Sequence, residues 1–249
     1  MKQVNLIGSF EESDMSRFRN PTIDTMVWGR QRHHVPILLE MDITGVREAI
    51  RIQTTKTGQR MSFTSWIIKC IAQAVSEHKS VHALRKGKRR LVMFDDVDVT
   101  IIIERLVGAG ETLPTPYVIR KANEKTVADI YAEIRAAQKS PVVSGEIQFG
   151  ARYAGWMMEL FTRMPQFLRN LFFWQPMFRN PFLLKRTMGT VSVSSLTSFG
   201  MMGQGGMSWG IPVGIHPLMI AVGGIAKRPG VIHEQIVIRE YVGLTVLVD

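Results

Sequence analysis

The chain has 249 residues, of which 45% are hydrophobic and 21% are charged, as in an ordinary soluble globular protein. We expect one domain over residues 1–249. Cys70 is the single cysteine, which excludes an internal disulfide framework, and no Cys/His cluster has zinc spacing, so we expect no metal. The N-terminus lacks the sustained apolar stretch of a signal peptide. Together these features predict a cytoplasmic protein, in a reducing setting.

The net charge of +10 raises the question of a nucleic-acid partner. The densest basic run is "LRKGKRRLVMF", residues 84–94, between a predicted helix and a predicted strand. It has no interleaved aromatic residues on which bases stack, and the chain has no recognisable nucleic-acid motif. We therefore expect no nucleic-acid partner. The charge suits attraction to an anionic cofactor or to an anionic membrane surface.

The first half of the chain predicts an irregular start followed by alternating element types. Residues 1–31 read as irregular, with a turn at "RNPTID". A strand follows over His34 to Thr44, and a short helix opens at Thr44. The stretch "MSFTSWIIKCIAQAVSEHKSV" has apolar residues at three- and four-residue spacings and predicts an amphipathic helix, capped by Ser62 or Thr64.

The rest of the chain, apart from residues 152–186, continues the mixed pattern. Two strands, "RRLVMF" and "VDVTIIIERLV", precede a predicted loop "GAGETLPTP" and a strand "YVIRKA". "TVADIYAEIRAAQKS" predicts a helix capped by Thr126. The last third contains four strand-like segments separated by Gly-rich or Pro-bearing turns, "GTVSVSSL", "LMIAVGGIA", "EQIVIRE" and "YVGLTVLV". This order predicts a mixed α+β domain in which helices pack on a largely non-polar sheet.

Residues 152–186 form an insertion that mixes basic and aromatic residues. Charges and Pro165, Pro176 and Pro181 interrupt it too often for a bilayer span of about 20 apolar residues, so we expect short amphipathic helices. Three interpretations stay open. The insertion packs on its own domain or a neighbouring subunit, lies in a membrane interface as a peripheral contact, or lines a groove for an apolar substrate.

Catalytic signals in the residues themselves are weak. Glycines around residue 205 lack the spacing and the strand–helix context of a dinucleotide loop. His34 at a strand entry and His216 in a turn are typical of structural histidines. A hydroxyl cluster stands at the end of a predicted strand, before a Gly-rich loop, where it could present a hydroxyl to a ligand; it comprises Ser194, Ser195, Thr197 and Ser198.

Five blocks of the sequence agree in order and spacing with one known family. They begin "SFTSWIIKC", "VDVTIIIE", "YVIRKANEK", "GTVSVSSLTSFG" and "IAVGGIAKRPG". From about His34 to Asp249 the chain resembles the catalytic domain of the dihydrolipoamide acyltransferases of 2-oxoacid dehydrogenase complexes, related in fold to chloramphenicol acetyltransferase. The resemblance implies an enzyme that transfers acyl groups between coenzyme A and a thiol. It also implies a two-layer α/β fold, in which helices cover a mixed sheet, and a homotrimer or a multiple of trimers with active sites at subunit interfaces.

The resemblance also assigns residues. The block "VSS" puts Ser194 at the family's oxyanion donor, and His34 matches a histidine of its Pro-His block. We expect substrate contacts from Ser195, Thr197 and His34. The family's general base is a histidine in a motif whose first residue corresponds to Asp249. The printed sequence ends there, so the base is expected just after Asp249.

We expect neither a lipoyl domain nor a peripheral subunit-binding domain, which many members of that family carry, and therefore no covalent lipoyl group. The chain resembles free-standing members, for which the acceptor is a lipoyl domain acting in trans or a small molecule. Two alternatives remain open at this point. One is a non-catalytic scaffold with the same fold; the other is a peripheral membrane or acyl-binding protein without the catalytic histidine.

Overall fold

The computed structural model describes residues 8–15, 17–107, 111–140, 155–195 and 206–249. Its centre is a mixed six-stranded sheet in the order β1-β8-β7-β6-β4-β5. Strands β4, β6 and β7 are parallel neighbours, and the other pairs are antiparallel. The strands are β1 (Val35–Asp42), β4 (Val99–Val107), β5 (Glu111–Ile119), β6 (Val191–Ser195), β7 (Leu218–Ile232) and β8 (Gln235–Val248); β2 (Leu84–Lys86) and β3 (Arg90–Val92) form a separate hairpin.

Helices cover one face of this sheet and build the insertion. They are α1 (Asn20–Gly29), α2 (Thr44–Thr57), α3 (Phe63–Glu77), α4 (Val127–Lys139), α5 (Gly155–Arg163), α6 (Gln166–Arg169), α7 (Gln175–Arg179) and α8 (Pro181–Met188), with a π-helical turn over Asn170–Trp174 between α6 and α7. Short 3-10 turns occur at Arg17–Arg19 and Lys79–His82. No described helix is long and apolar enough to span a bilayer.

The main core lies between the sheet and the helices α3 and α4. Both helices begin with a capping box, as the sequence predicts: Ser62 accepts from the Ser65 amide, and Thr126 from the Asp129 amide. Each cap is worth about 1 kcal/mol. Buried side chains of α3 and α4, such as Ile68 and Ile130, join the inward-facing residues of five strands. This confirms the predicted α+β arrangement.

Helix α1 falls in the region that the sequence predicts to be irregular, so that prediction is wrong. Pro21 stands in its first turn, where a missing N–H is harmless. The helix lacks a side-chain cap, and its decisive contact is distant in sequence. The buried carboxylate of Asp24 accepts from Arg169 and from the Trp174 indole at 3.0 Å. A contact across 145 residues leaves no local signal.

The structure also differs from the sequence prediction at two loops. The predicted loop "GAGETLPTP" is strand from Glu111 onward, and Pro114 and Pro116 pair in register with Glu104 and Ile102 of β4. Strand β5 is an edge of the sheet, where a missing N–H disrupts no second ladder. The three strand-like segments after residue 217 form only two strands, joined by the two-residue turn His233–Glu234, in which both φ angles are positive.

The described part of the insertion, residues 155–186, forms short helices, as predicted, and packs on its own domain. Trp174 is buried among Phe161, Met177 and Leu184 in a second apolar cluster that also contacts Trp28 of α1. Several apolar residues of the insertion remain exposed, and three of them lie close together in sequence: Phe167, Leu171 and Phe172. Trp174 is therefore unavailable for a membrane contact, whereas these three are accessible.

Candidate active site

Ser194 projects from the sheet face that the helices do not cover. Val191 and Val193 of β6 belong to the main core, and alternation along a strand therefore turns Ser192 and Ser194 to the opposite face. The Ser194 side chain is half-buried and makes no hydrogen bond within the described ranges. A hydroxyl in this position can serve a ligand because no group of the described residues already uses it.

Residues 206–217, here called the covering segment, lie over this second face. The Ser208 carbonyl oxygen sits directly on two glycines: a Cβ at Gly223 would lie 1.8 Å from it, and one at Gly243 would lie 2.5 Å from it. The Trp209 indole donates to the Leu39 carbonyl at 2.9 Å, which holds the segment over β1. Glycine at 223 and 243 is thus what lets the segment approach the strands.

Thr245 lies in the same row of the sheet as Ser194. Ser194 pairs in register with Ala221 of β7, and Ala221 pairs with Thr245 of β8. Thr245 is fully buried, and its Oγ1 has no hydrogen-bond partner among the described residues. A buried hydroxyl without a partner is unusual, since most such groups are satisfied. Two hydroxyls therefore flank the small side chain of Ala221 on this face.

Of the other members of the predicted hydroxyl cluster, the structure describes only Ser195. Ser195, the last residue of β6, is half-buried, and alternation turns it to the opposite side from Ser194. Thr197 and Ser198 lie outside the described residues. The prediction that Ser195 and Thr197 contact substrate stays a prediction.

Asp249 is held tightly at the end of β8. Its carboxylate accepts from Arg32 Nη1 at 2.9 Å and from the His33 amide at 2.9 Å, while its own amide donates to the Pro217 carbonyl at 3.0 Å. Burial of the carboxyl opposes ionisation, but the His33 amide and the Arg32 guanidinium outweigh it. The pKa of Asp249 is therefore below its usual value.

Two histidines lie near this end of the sheet, and both bind backbone carbonyls. His34 Nε2 lies 2.8 Å from the His216 carbonyl, and His216 Nε2 lies 2.7 Å from the Met188 carbonyl. Since a carbonyl only accepts, each Nε2 carries the hydrogen. Desolvation lowers the pKa of the buried His216 to about 4, so it is neutral at pH 7. This geometry favours a structural role for His216, and it leaves His34 half-buried beside Asp249.

Ser194 and Asp249 are well separated within one subunit. Ser194 is level with Thr245, two strands across and four residues before Asp249. With about 4.8 Å between strands and about 3.3 Å per residue, the separation is roughly 16 Å. The structure therefore does not bring together the predicted oxyanion donor and the residue that the resemblance places next to the base. Arg32 and Thr245 could not be predicted as site residues from the sequence, because neither lies in a recognisable motif.

No group of three potential metal ligands occurs among the residues that the structure describes. The free thiol of Cys70 is exposed on α3, away from Ser194 on the helical side of the sheet. The described hydroxyls near Ser194 on the second face are those of Ser192 and Thr245, whereas Arg32, His33 and His34 lie at the Asp249 end.

Residues 8–141 match the family described as 2-oxoacid dehydrogenases acyltransferase (catalytic domain). The match spans more than half of the 249 residues. No curated protein matches the chain in sequence.

Solved structures share the fold at low sequence identity. A probable dihydrolipoamide acetyltransferase from Listeria monocytogenes 4b F2365 has 22% identity and a TM-score of 0.64, covering 96% of this chain and 86% of its own. The dihydrolipoamide acetyltransferase of Azotobacter vinelandii, solved to examine a serine, a histidine and an asparagine in its catalytic mechanism, has 16% identity and a TM-score of 0.67, covering 100% and 87%. The cubic core of a pyruvate dehydrogenase multienzyme complex has 16% identity and a TM-score of 0.66, with the same coverage.

These likenesses confirm the predicted acyltransferase fold, a mixed sheet with helices on one face. The family match confirms the resemblance seen in the five sequence blocks. The chain belongs to the 2-oxoacid dehydrogenase acyltransferase family, through its catalytic domain.

Proposed function

We propose that the chain transfers an acyl group between coenzyme A and a thiol, or another small acceptor, in the cytoplasm. Its membership of an acyltransferase family supports the class of reaction. The observation that carries the proposal is Ser194, whose half-buried hydroxyl has no protein partner in the described ranges and projects from the end of β6. A lipoyl domain acting in trans is the acceptor we favour, because the family acts on dihydrolipoyl thiols.

In the proposed reaction, the acceptor thiolate attacks the thioester carbonyl and a tetrahedral oxyanion forms. The Ser194 hydroxyl donates to that oxyanion. The base is the histidine that the family places after Asp249; it takes the thiol proton and returns it to the departing coenzyme A sulfur. The Arg32–Asp249 pair fixes the backbone from which that base would project.

The separation of roughly 16 Å between Ser194 and Asp249 favours an active site between two subunits. One subunit would supply Ser194 and its neighbour the base. We propose a homotrimer, or a multiple of trimers, because each subunit then contributes to two sites in a closed ring.

The edge strand β1 supports an oligomer. Every residue of β1 is exposed, and five of its eight residues are large and apolar: Val35, Ile37, Leu38, Leu39 and Met41. An exposed apolar edge normally pairs with or packs against another chain. The change Leu38→Glu should convert the oligomer to monomer in sedimentation, whereas Leu91→Glu on the exposed β3 should leave its mass unchanged. A monomeric wild-type protein would contradict the oligomer.

The test of the acyl transfer is a matched pair of serine changes on β6. Ser194→Ala should lower kcat for acetyl transfer from acetyl-coenzyme A to dihydrolipoamide by about 10²- to 10³-fold, as loss of an oxyanion donor does. Ser192→Ala removes a hydroxyl from the same strand and the same face, two residues away, and should change kcat less than threefold. Equal effects of the two changes would reject Ser194 as the donor. Acyl-coenzyme A binding without turnover in the wild type would favour the non-catalytic scaffold.

The exposed apolar residues of the insertion favour a second candidate, a peripheral contact with an anionic membrane. Phe167, Leu171 and Phe172 are all more than half exposed, in a protein of net charge +10. Replacing all three with Ser should abolish pelleting with phosphatidylserine vesicles. Unchanged pelleting of the triple variant would exclude the contact.

A further inference from the structure

A pocket lies between helix α1 and the insertion, and we call it the insertion pocket. Its volume is about 310 Å³, at the lower end of the range for small-molecule sites. The residues of α1 that line it include Trp28 and Gln31, and those of the insertion include Phe167, Asn170 and Trp174. One wall is thus supplied by a segment outside residues 8–141, which match the family.

The apolar lining of the pocket is mainly aromatic. The Trp28 ring is held in place because its Nε1 donates to Asn170 Oδ1 at 3.0 Å. Trp174 is 1% exposed, and its Nε1 donates to Asp24 at 3.0 Å. Phe167, in contrast, is 68% exposed. A planar ring placed against Phe167 would remove from water an apolar surface that the free protein leaves exposed.

Side-chain amides supply the hydrogen-bonding groups of the pocket. An indole N–H only donates, so the Asn170 atom that faces Trp28 is the amide oxygen. The Asn170 amide nitrogen makes no hydrogen bond with a described residue. The side-chain amides of Gln31 and Gln166, which are exposed and line the same pocket, make none within the described ranges either. The pocket therefore offers a donor beside Trp28, and further donors and acceptors at its exposed side.

The charge at the floor of the pocket is already compensated. Asp24 is the one ionisable side chain among the described residues of the lining. Arg169 donates to both oxygens of this carboxylate, at 2.6 and 2.9 Å. An ionised ligand would lose its hydration here without meeting a free counter-charge. The lining therefore favours an uncharged ligand.

The insertion reaches the pocket through the π-helical turn Asn170–Trp174. The first and the last residue of this turn both line the pocket. Single π-helical turns are rare, and they occur frequently at functional sites. The backbone of the insertion thus gives a second, independent indication of a binding site.

We propose that the insertion pocket binds a small uncharged aromatic molecule that carries a carbonyl group, such as an aromatic carboxamide. The ring lies against Trp28 and Phe167, and the carbonyl oxygen accepts from Asn170 Nδ2. The small volume limits the ligand to one or two rings. Neither Ser194 nor Asp249 lines the pocket, and binding there does not require acyl transfer.

NMR titration of the full chain with benzamide tests the pocket without an activity assay. The indole N–H signal of Trp28 should shift saturably, and that of Trp209, which donates to Leu39 outside the pocket, should stay in place. Benzamide should bind about tenfold more tightly than benzoate, which has the same ring and a negative charge. It should bind about fivefold more tightly than cyclohexanecarboxamide, which has the same amide and no aromatic ring.

Phe167→Ala and Phe172→Ala form a matched pair of variants. Both phenylalanines are exposed in the same segment, so neither change should affect folding, but of the two only Phe167 lines the pocket. Phe167→Ala should weaken benzamide binding about tenfold, and Phe172→Ala less than about twofold. Asn170→Asp keeps an oxygen for Trp28 and replaces the free N–H donor with an acceptor, so it should also weaken benzamide about tenfold.

Three results would overturn the proposal. The first is a Trp28 signal that does not respond to benzamide in the wild-type protein. The second is an equal loss of binding in Phe167→Ala and Phe172→Ala, which would place the ligand elsewhere on the insertion. The third is binding of benzoate as tight as that of benzamide, which would contradict an uncharged ligand.

Discussion

The carboxylate of Asp24 and the guanidinium of Arg169 form a buried pair, joined by hydrogen bonds of 2.6 and 2.9 Å. Neither side chain is more than 5% exposed. Arg169 also donates to the Met164 carbonyl, and the Trp174 indole donates to Asp24. This network joins α1 to the insertion, and the basic-aromatic segment is therefore part of the folded domain.

Removing one partner of this pair should be strongly destabilising. Arg169→Met leaves the Asp24 carboxylate buried without its cation, so we expect the free energy of unfolding to fall by about 3–5 kcal/mol. Urea unfolding measures this change. Arg163→Met, which breaks the exposed pair with Glu159 on α5, should lower it by less than about 0.5 kcal/mol. Similar values for the two variants would contradict the buried network.

Gly223→Ala should displace the covering segment. The new methyl group would stand 1.8 Å from the Ser208 carbonyl oxygen, so backbone must move, and we expect a loss of about 1–3 kcal/mol in unfolding free energy. Gly45→Ala is the control, because nothing lies within 4 Å of its added Cβ in α2. That change should stabilise the protein by about 0.5–1 kcal/mol. An unchanged free energy of unfolding in Gly223→Ala would show that the covering segment does not contact the strands.

Thr245→Val tests the unpartnered hydroxyl. Valine has nearly the same shape, and it removes a buried polar group that has no partner among the described residues. We therefore expect the free energy of unfolding to rise by about 1 kcal/mol. Thr100→Val replaces a buried threonine that donates to the Met188 carbonyl and should lower it by about 1 kcal/mol. Thermal unfolding compares the stabilities of the two variants. Destabilisation by Thr245→Val would mean that the Thr245 hydroxyl makes a hydrogen bond in the folded protein.

Stability should fall in acid because of His216. Its pKa is about 4 in the folded protein, whereas the ordinary value for histidine, which applies to the unfolded chain, is 6.5. The unfolded chain therefore binds a proton first as pH falls. The contribution is complete above pH 6.5 and is lost between pH 6.5 and about 4, with a slope of about 1.4 kcal/mol per pH unit. Burial lowers the pKa of His82 as well, which adds to the same trend.

Urea unfolding of His216→Gln at several pH values should give a flatter profile than the wild type over this window. His33→Gln, at an exposed position, should leave the profile unchanged. An identical slope in His216→Gln and wild type would assign the acid sensitivity to other groups.

Elements with local signals could be predicted from the sequence. Ser62 and Thr126 cap α3 and α4 with partners three residues away, and the alternation of Val191 and Val193 with Ser192 and Ser194 orients the candidate hydroxyl. The order and spacing of five sequence blocks were also enough to predict the family. These features depend on backbone geometry and periodicity over a few residues, which a linear pattern records.

Features that depend on partners distant in sequence became visible only in the folded structure. Helix α1 has no side-chain cap and is held through Asp24 by Arg169, and the prolines of β5 are tolerated because that strand is an edge. The separation of Ser194 from Asp249 follows from strand order. Arg32, Arg85 and Arg179 line one cleft although they come from three separate segments. The local spacing of residues does not encode these contacts and separations, because the order of the strands and the packing of the insertion set them.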